Sequence, residues 1–196
     1  MRRALCLAFL LAAAAGCATV PAPPLSSAER LDRAQSVTAD WYIHSQLAAL
    51  RLIEAYGPPD RIEKDRLTWH HRGPWQRIVS WDARDYQYPA PDGVDSVEQT
   101  VPYAVPADKR AALAAFSGRV RVSRDGSELS ARGADEPFNL LALNLAHEIV
   151  RGVRSPQEAS LFYERVRELS AAGKSSPYMA ELFFMKLPPR PTEPQP

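Results

Sequence analysis

Arg119-Val120-Arg121-Val122-Ser123-Arg124-Asp125-Gly126-Ser127-Glu128-Leu129-Ser130-Ala131-Arg132 is the stretch on which the fold turns. Asp125-Gly126 has the composition of a two-residue type I′ hairpin turn, in which both central residues adopt positive φ. Taking it as the loop pairs Arg124 with Ser127, Val122 with Leu129 and Val120 with Ala131. The apolar pairs then share one face, so turn chemistry and side-chain alternation give the same register.

Two helices follow the hairpin. Glu136–Gly152 is apolar nearly all round (Phe138, Leu140, Leu141, Leu143, Leu145, Ile149, Val150), which is more than the single stripe of a surface helix. It is expected to be the most buried element, with His147 on a polar side shared with Asn144 and Arg151. Pro156–Ala172 opens with Ser155-Pro156-Gln157-Glu158 and closes at Gly173, a capping box with proline at the first position and glycine past the end. Ser176-Pro177 predicts one more short helix, through Met185.

Working back from the hairpin, Ala107–Phe116 reads as a short alanine-rich helix and Val97–Val105 as a strand. Pro102 places that strand at a sheet edge, because proline donates nothing to a ladder. Arg66–His71 and Gln76–Tyr86 are two more strands, joined through Arg72-Gly73-Pro74-Trp75. Ser26-x-x-Glu29 is a capping box that opens a helical run ending at Tyr56, before Gly57-Pro58-Pro59; Asp40 is an alternative cap for a second helix within it. Helices segregated from strands predict an α+β domain: an antiparallel meander with a β-hairpin and helices packed on one face. The domain is read as residues 28–186, followed by a proline-rich tail, 187–196.

The beginning of the chain is of another kind. Met1-Arg2-Arg3 precedes an apolar run from Ala4 to Ala15, too short for a membrane span of about 20 residues and ordered like a secretory signal. Ala14-Ala15-Gly16-Cys17 resembles the bacterial lipobox, with Ala14 where leucine is usual. The resemblance implies cleavage after Gly16 and acylation (diacylglycerol and palmitate-type chains) of Cys17, the lipid attachment site. Several acyl chains, at about 0.8 kcal/mol per buried methylene, exceed what stable anchoring needs. Ala18 resembles the residue of outer-membrane-directed lipoproteins, since it is not the aspartate that retains others in the inner membrane. The expected address is therefore the periplasmic face of the outer membrane, with membrane lipid as one partner. Residues 17–27 form a Pro-rich tether, rising roughly 3.1 Å per residue.

Arg2 and Arg3 belong to the leader, and without them the chain's 24 Lys and Arg fall one short of its 23 Asp and Glu. Such balance argues against a nucleic-acid partner, which calls for a clustered basic excess. Of the two cysteines, Cys6 lies in the leader and Cys17 is consumed by acylation, leaving no thiol for a disulfide, a zinc site or a nucleophile. No metal or cofactor is expected. His70 and His71 are neighbours on a strand and point to opposite faces. His44 and His147 lie on separate helices, and His147-Glu148 lacks the second histidine of an HExxH pair. No serine occupies a G-x-S-x-G elbow, and no Gly-rich phosphate loop is present.

Two features remain. Asp82, Asp85, Asp92 and Asp95 cluster around the second and third strands, where paired acids can do hydrolytic work, though aspartate also favours turns. Trp69, Trp75, Trp81, Tyr86 and Tyr88 form the densest aromatic run; it reads first as sheet core and hairpin tip, and second as a candidate contact surface for carbohydrate or protein.

Tyr56-Gly57-Pro58-Pro59-Asp60, Gly73-Pro74-Trp75, Val105–Ser117, Leu141–Gly152 and Gly173–Met179 resemble an uncharacterised family of proteobacterial lipoproteins over most of the domain. No activity is assigned to that family, so the likeness implies no functional residue. A second likeness, confined to Ala48–Trp81, is to small outer-membrane-assembly lipoproteins. The leading expectation is a non-catalytic, membrane-anchored envelope lipoprotein that contacts protein or cell wall. The alternative is a periplasmic hydrolase or glycan-acting enzyme using acids near Asp82–Asp95.

Overall fold

Residues 24–84 and 94–185 are described by a computed structural model; Cys17, Tyr86, Tyr88, Asp85, Asp92 and the 187–196 tail lie outside them. Ser26 caps α1 (Ser27–Thr38): its hydroxyl accepts the Glu29 N–H, and the Glu29 carboxylate accepts the Ser26 N–H. The helical run does not continue unbroken to Tyr56. It restarts as α2 (Ile43–Tyr56), whose N-cap is Tyr42 rather than Asp40. Tertiary contacts fix the break, since Trp41 is buried with its indole N–H donated to the Lys64 carbonyl, and the Tyr42 N–H donates to the Asp82 carboxylate.

Six strands form one antiparallel sheet: β1 (Arg61–Glu63), β2 (Arg66–Arg72), β3 (Trp75–Trp81), β4 (Val97–Pro102), β5 (Val120–Val122) and β6 (Glu128–Gly133), in the order β1-β2-β3-β4-β6-β5. The expected edge position of the third strand is wrong. That strand is β4, and it lies between β3 and β6. Its pairing to β3 stops at Thr100 opposite Arg77, so Pro102 falls past the end of that ladder and its missing N–H costs nothing there. β1 has no counterpart in the sequence reading; three residues are too few to show a period.

The β5–β6 register is the one read from the sequence, with Val122 opposite Leu129 and Val120 opposite Ala131. The turn type is not. Among the described residues His71 is the one non-glycine with positive φ, so Asp125 does not take the type I′ conformation. Instead the Gly126 N–H closes a turn on the Ser123 carbonyl, and Gly126 alone is left-handed, at φ +82°. Asp125 holds the loop from its side chain. Its carboxylate accepts the Ser123 and Ser127 hydroxyls (2.6 and 2.8 Å) and the Ser127 N–H, which hold its pKa at about 2.

Helices cover the face of the sheet that carries Leu67, Trp69, Ile78, Val97, Val101, Leu129 and Ala131. A 3-10 turn (Ala107–Lys109) leads into α3 (Arg110–Phe116); α4 (Glu136–Val150) and α5 (Pro156–Ala171) follow. Nine of the fifteen α4 residues are buried, and α4 packs between sheet and α5. The Ser155–Glu158 capping box, Pro156 and the left-handed Gly173 bound α5 as read. The expected helix through Met185 shortens to a 3-10 turn, Pro177–Met179. This irregular 177–185 segment covers the side of α4 read as polar. Asn144 is 1% exposed and donates to the Tyr178 and Glu181 carbonyls while accepting the Phe183 N–H.

Candidate functional site

With helices on one side, the second face of the sheet is left open among the described residues, and alternation decides what it shows. Arg61 and Glu63 on β1, Arg66, Thr68 and His70 on β2, Arg77, Val79 and Trp81 on β3, Glu98 and Thr100 on β4, Glu128, Ser130 and Arg132 on β6, and Arg121 on β5 share it. The registers set these into rows across the strands. One runs His70, Arg77, Thr100, Ser130, Arg121; the next runs Arg61, Thr68, Val79, Glu98, Arg132. Sheet twist bends the rows into a concave trough of about 530 Å³.

Five guanidiniums face three carboxylates on this surface. Most of the pairs are loose: Glu98 lies 3.7 Å from Arg132 Nε and 4.0 Å from Arg121 Nη1, and Glu128 lies 3.6 Å from Arg77 Nη2. Elsewhere arginines close on acids at true hydrogen-bond length, 2.7 Å for Arg72–Asp60, 2.6 Å for Arg119–Asp95 and 2.5 Å for Arg154–Glu148. On the open face Arg61–Glu63, at the outer strand, is the one close pair among the described residues, at 2.8 Å. Arg132 lays its guanidinium over the Trp81 ring, 4.2 Å from the centroid. Arg66, opposite Trp81 in the β2–β3 register, is exposed and has no side-chain partner among the described residues. Arg77 also donates from Nη2 to the Thr100 hydroxyl at 3.3 Å, and the remaining N–H donors of Arg77, Arg121 and Arg132 close on no carboxylate at hydrogen-bond length.

Of the aromatic contact surface read from sequence, Trp69 and Trp75 are corrected. They are 0% and 1% exposed, on the helix side, with indole N–H groups donated to the Gly57 carbonyl and the Tyr56 hydroxyl. Their positions favour the sheet-core reading, and Trp81 alone of the three tryptophans lies in the trough. Tyr86 and Tyr88 lie outside the described residues, as does Cys17. Asp82 and Asp95 are both engaged: Asp82 with the Tyr42 N–H and Arg84, Asp95 with Arg119. Among the described residues, no three of His, Cys, Asp and Glu converge in a geometry that holds a metal.

Beneath the trough lies a polar chain that the sequence reading missed. Trp75 Nε1–H donates to the Tyr56 hydroxyl (2.9 Å), which donates in turn to the Glu136 carboxylate (2.8 Å). Gln99 Nε2 also donates to Glu136, and Asn139 Nδ2 donates to Gln99 Oε1 at 3.0 Å. The chain ties α2, β3, β4 and the first turn of α4 together. Burial, then the charge and hydrogen bond of Glu136, push the Tyr56 phenol far above its usual range, against the opposing Trp75 bond. A signal existed: Gln99 shares the phase of Val97 and Val101, so it is an amide at a core position, which demands partners.

At the far end of α4, His147 Nδ1 bonds the Tyr103 hydroxyl at 2.8 Å and Phe184 stacks on the imidazole at 4.8 Å. The side of α4 read as polar is therefore half-buried, and burial with the Arg151 charge lowers the His147 pKa, against Glu148. Glu136 is engaged by Tyr56 and Gln99, and His147 by Tyr103. Comparison with protein-family models, with curated proteins and with solved structures finds no match.

Proposed function

We propose that this chain is a bacterial envelope lipoprotein, anchored by acyl chains on Cys17 to the periplasmic face of the outer membrane, whose domain works by contact rather than catalysis. The lipobox-like Ala14-Ala15-Gly16-Cys17 and the Pro-rich tether support the anchor. The observation that carries the contact reading is the open face: a trough in which Arg77, Arg121 and Arg132 stand 3.6–4.0 Å from their acid partners. A face meant only for water has no need of a guanidinium stacked on an indole, as Arg132 is on Trp81, since ordering an arginine costs about 2 kcal/mol of rotamer entropy. Its partner is a protein or the cell wall.

A photo-crosslinking residue in place of Arg66, in the trough, tests the contact, with the same residue in place of exposed Gln157 on α5 as control. Adducts from position 66 alone are expected in intact envelopes. Equal yields, or none, overturn the contact reading. Cys17→Ser is expected to abolish acyl labelling and membrane retention, whereas an unacylated mature Cys17 in the unmutated protein overturns the anchor.

A further inference from the structure

We propose that the trough binds an acidic polypeptide segment, laid across the strands with its carboxylates on Arg77, Arg121 and Arg132. This names the partner of the contact face and rests on that reading. Charge complementarity supports it first: five arginines against three glutamates line a face of a chain whose 24 basic and 23 acidic residues otherwise nearly balance.

The unspent donors support it next. Bidentate guanidinium–carboxylate bonds form at about 2.7–2.9 Å, so the resident glutamates, at 3.6–4.0 Å, leave the forks of Arg77, Arg121 and Arg132 open, with one Arg77 donor given to the Thr100 hydroxyl. The Trp81 ring engages the face of the Arg132 guanidinium. Stacking leaves the in-plane Nη–H groups of Arg132 free to take a carboxylate, while its Nε–H lies buried and without a hydrogen-bond partner.

Geometry decides the kind of anion. Arg77 and Arg121 stand in one row, three strand spacings apart, which is about 14 Å. An extended chain places residues i and i+4 about 14 Å apart as well, at about 3.4 Å per residue. A flat bilayer surface meets only the rim of a concave trough, so headgroup phosphates match the charge but not the shape.

The probe is fluorescein-labelled octaglutamate, titrated by anisotropy into the full acylated chain in detergent micelles. Binding is expected, weakening as salt rises because exposed charges are screened. Arg77→Gln with Arg121→Gln should weaken it at least about tenfold, while Arg165→Gln on α5 leaves it unchanged. Arg66→Glu is the second variant, because that exposed side chain has no partner to lose among the described residues, and it should weaken binding about fivefold or more. Urea midpoints within error of the parent show that both variants fold.

Octaglutamate binding indifferent to these arginines overturns the proposal. So does arginine-dependent binding of tripolyphosphate or phosphatidylglycerol vesicles that octaglutamate does not displace. Failure of octaglutamate with position-66 crosslinks intact discards the acidic peptide and keeps the contact face; failure of both discards the contact face.

Discussion

Replacing Tyr56 by phenylalanine removes one oxygen from the chain that joins four elements. Trp75 is 1% exposed, so its indole N–H loses the Tyr56 hydroxyl with no water to replace it. An unsatisfied buried donor costs about 1–3 kcal/mol. Glu136 also loses a donor, but it borders a small cavity of about 190 Å³, from which water can take up part of the loss. The total expected is about 2–4 kcal/mol. With a urea m-value of about 2 kcal/mol/M, the unfolding midpoint drops by about 1–2 M. A pH series gives a second readout. Because the folded-state pKa of Tyr56 is raised, its contribution is complete below the ordinary phenol value and is lost as pH climbs through the folded value. Burial raises Tyr103 and Tyr178 too, so alkaline weakening persists in the variant. It should nonetheless be shallower by about 1.4 kcal/mol per pH unit above pH ~10, the share of one proton. A midpoint within about 0.2 M of the parent, with the alkaline slope unchanged, would refute the assignment of this chain.

Leu145, 0% exposed in the centre of α4, should lose about 2–5 kcal/mol on truncation to alanine, read from the same titration. Gly126→Val places a branched side chain at φ +82°, with a Cβ 3.2 Å from the Val105 carbonyl; a loss of at least about 2 kcal/mol is expected, and an unchanged midpoint would show that the loop relaxes freely. His147 should titrate below the ordinary imidazole value in an NMR pH series. Its stabilisation is therefore present above that value and is lost as pH falls through the lowered one, while Tyr103, Phe184, Arg151 and Glu148 face it. A midpoint at or above about 6.5 would contradict the burial.

The hairpin register was legible because valine, leucine and alanine alternate on both arms, a one-residue slip puts them in water, and the position of the Asp125-Gly126 loop excludes a slip of two. Its turn type was not, since Asp125 serves through its carboxylate rather than a left-handed backbone. The breadth of apolar residues on α4 showed its burial, yet Asn144 read as polar and exposed. Its partners are backbone groups of Tyr178, Glu181 and Phe183, some 35–40 residues away in an irregular segment that no period announces. Pro102 misled for a related reason: a proline is excluded from a ladder, and where β3 ends is a tertiary fact. The trough was the least legible part. Arg61, Arg66, Arg77, Arg121 and Arg132 come from five strands, and only the pairing of β6 beside β4 brings the last two against the rest. The tryptophans that drew attention instead were mostly core.

β1 and β5, the outermost strands, are three residues long each. An open edge is a template on which another copy can continue the ladder, and long apolar edges lead to aggregation. Three residues reach only about 10 Å, and Arg61, Glu63 and Arg121 set charge along them. The lipid anchor proposed above would concentrate the domain on a surface, where neighbours collide edge to edge far more often than in free solution. Brief, charged borders keep such encounters from maturing into shared sheets, so crowding can rise without polymerisation.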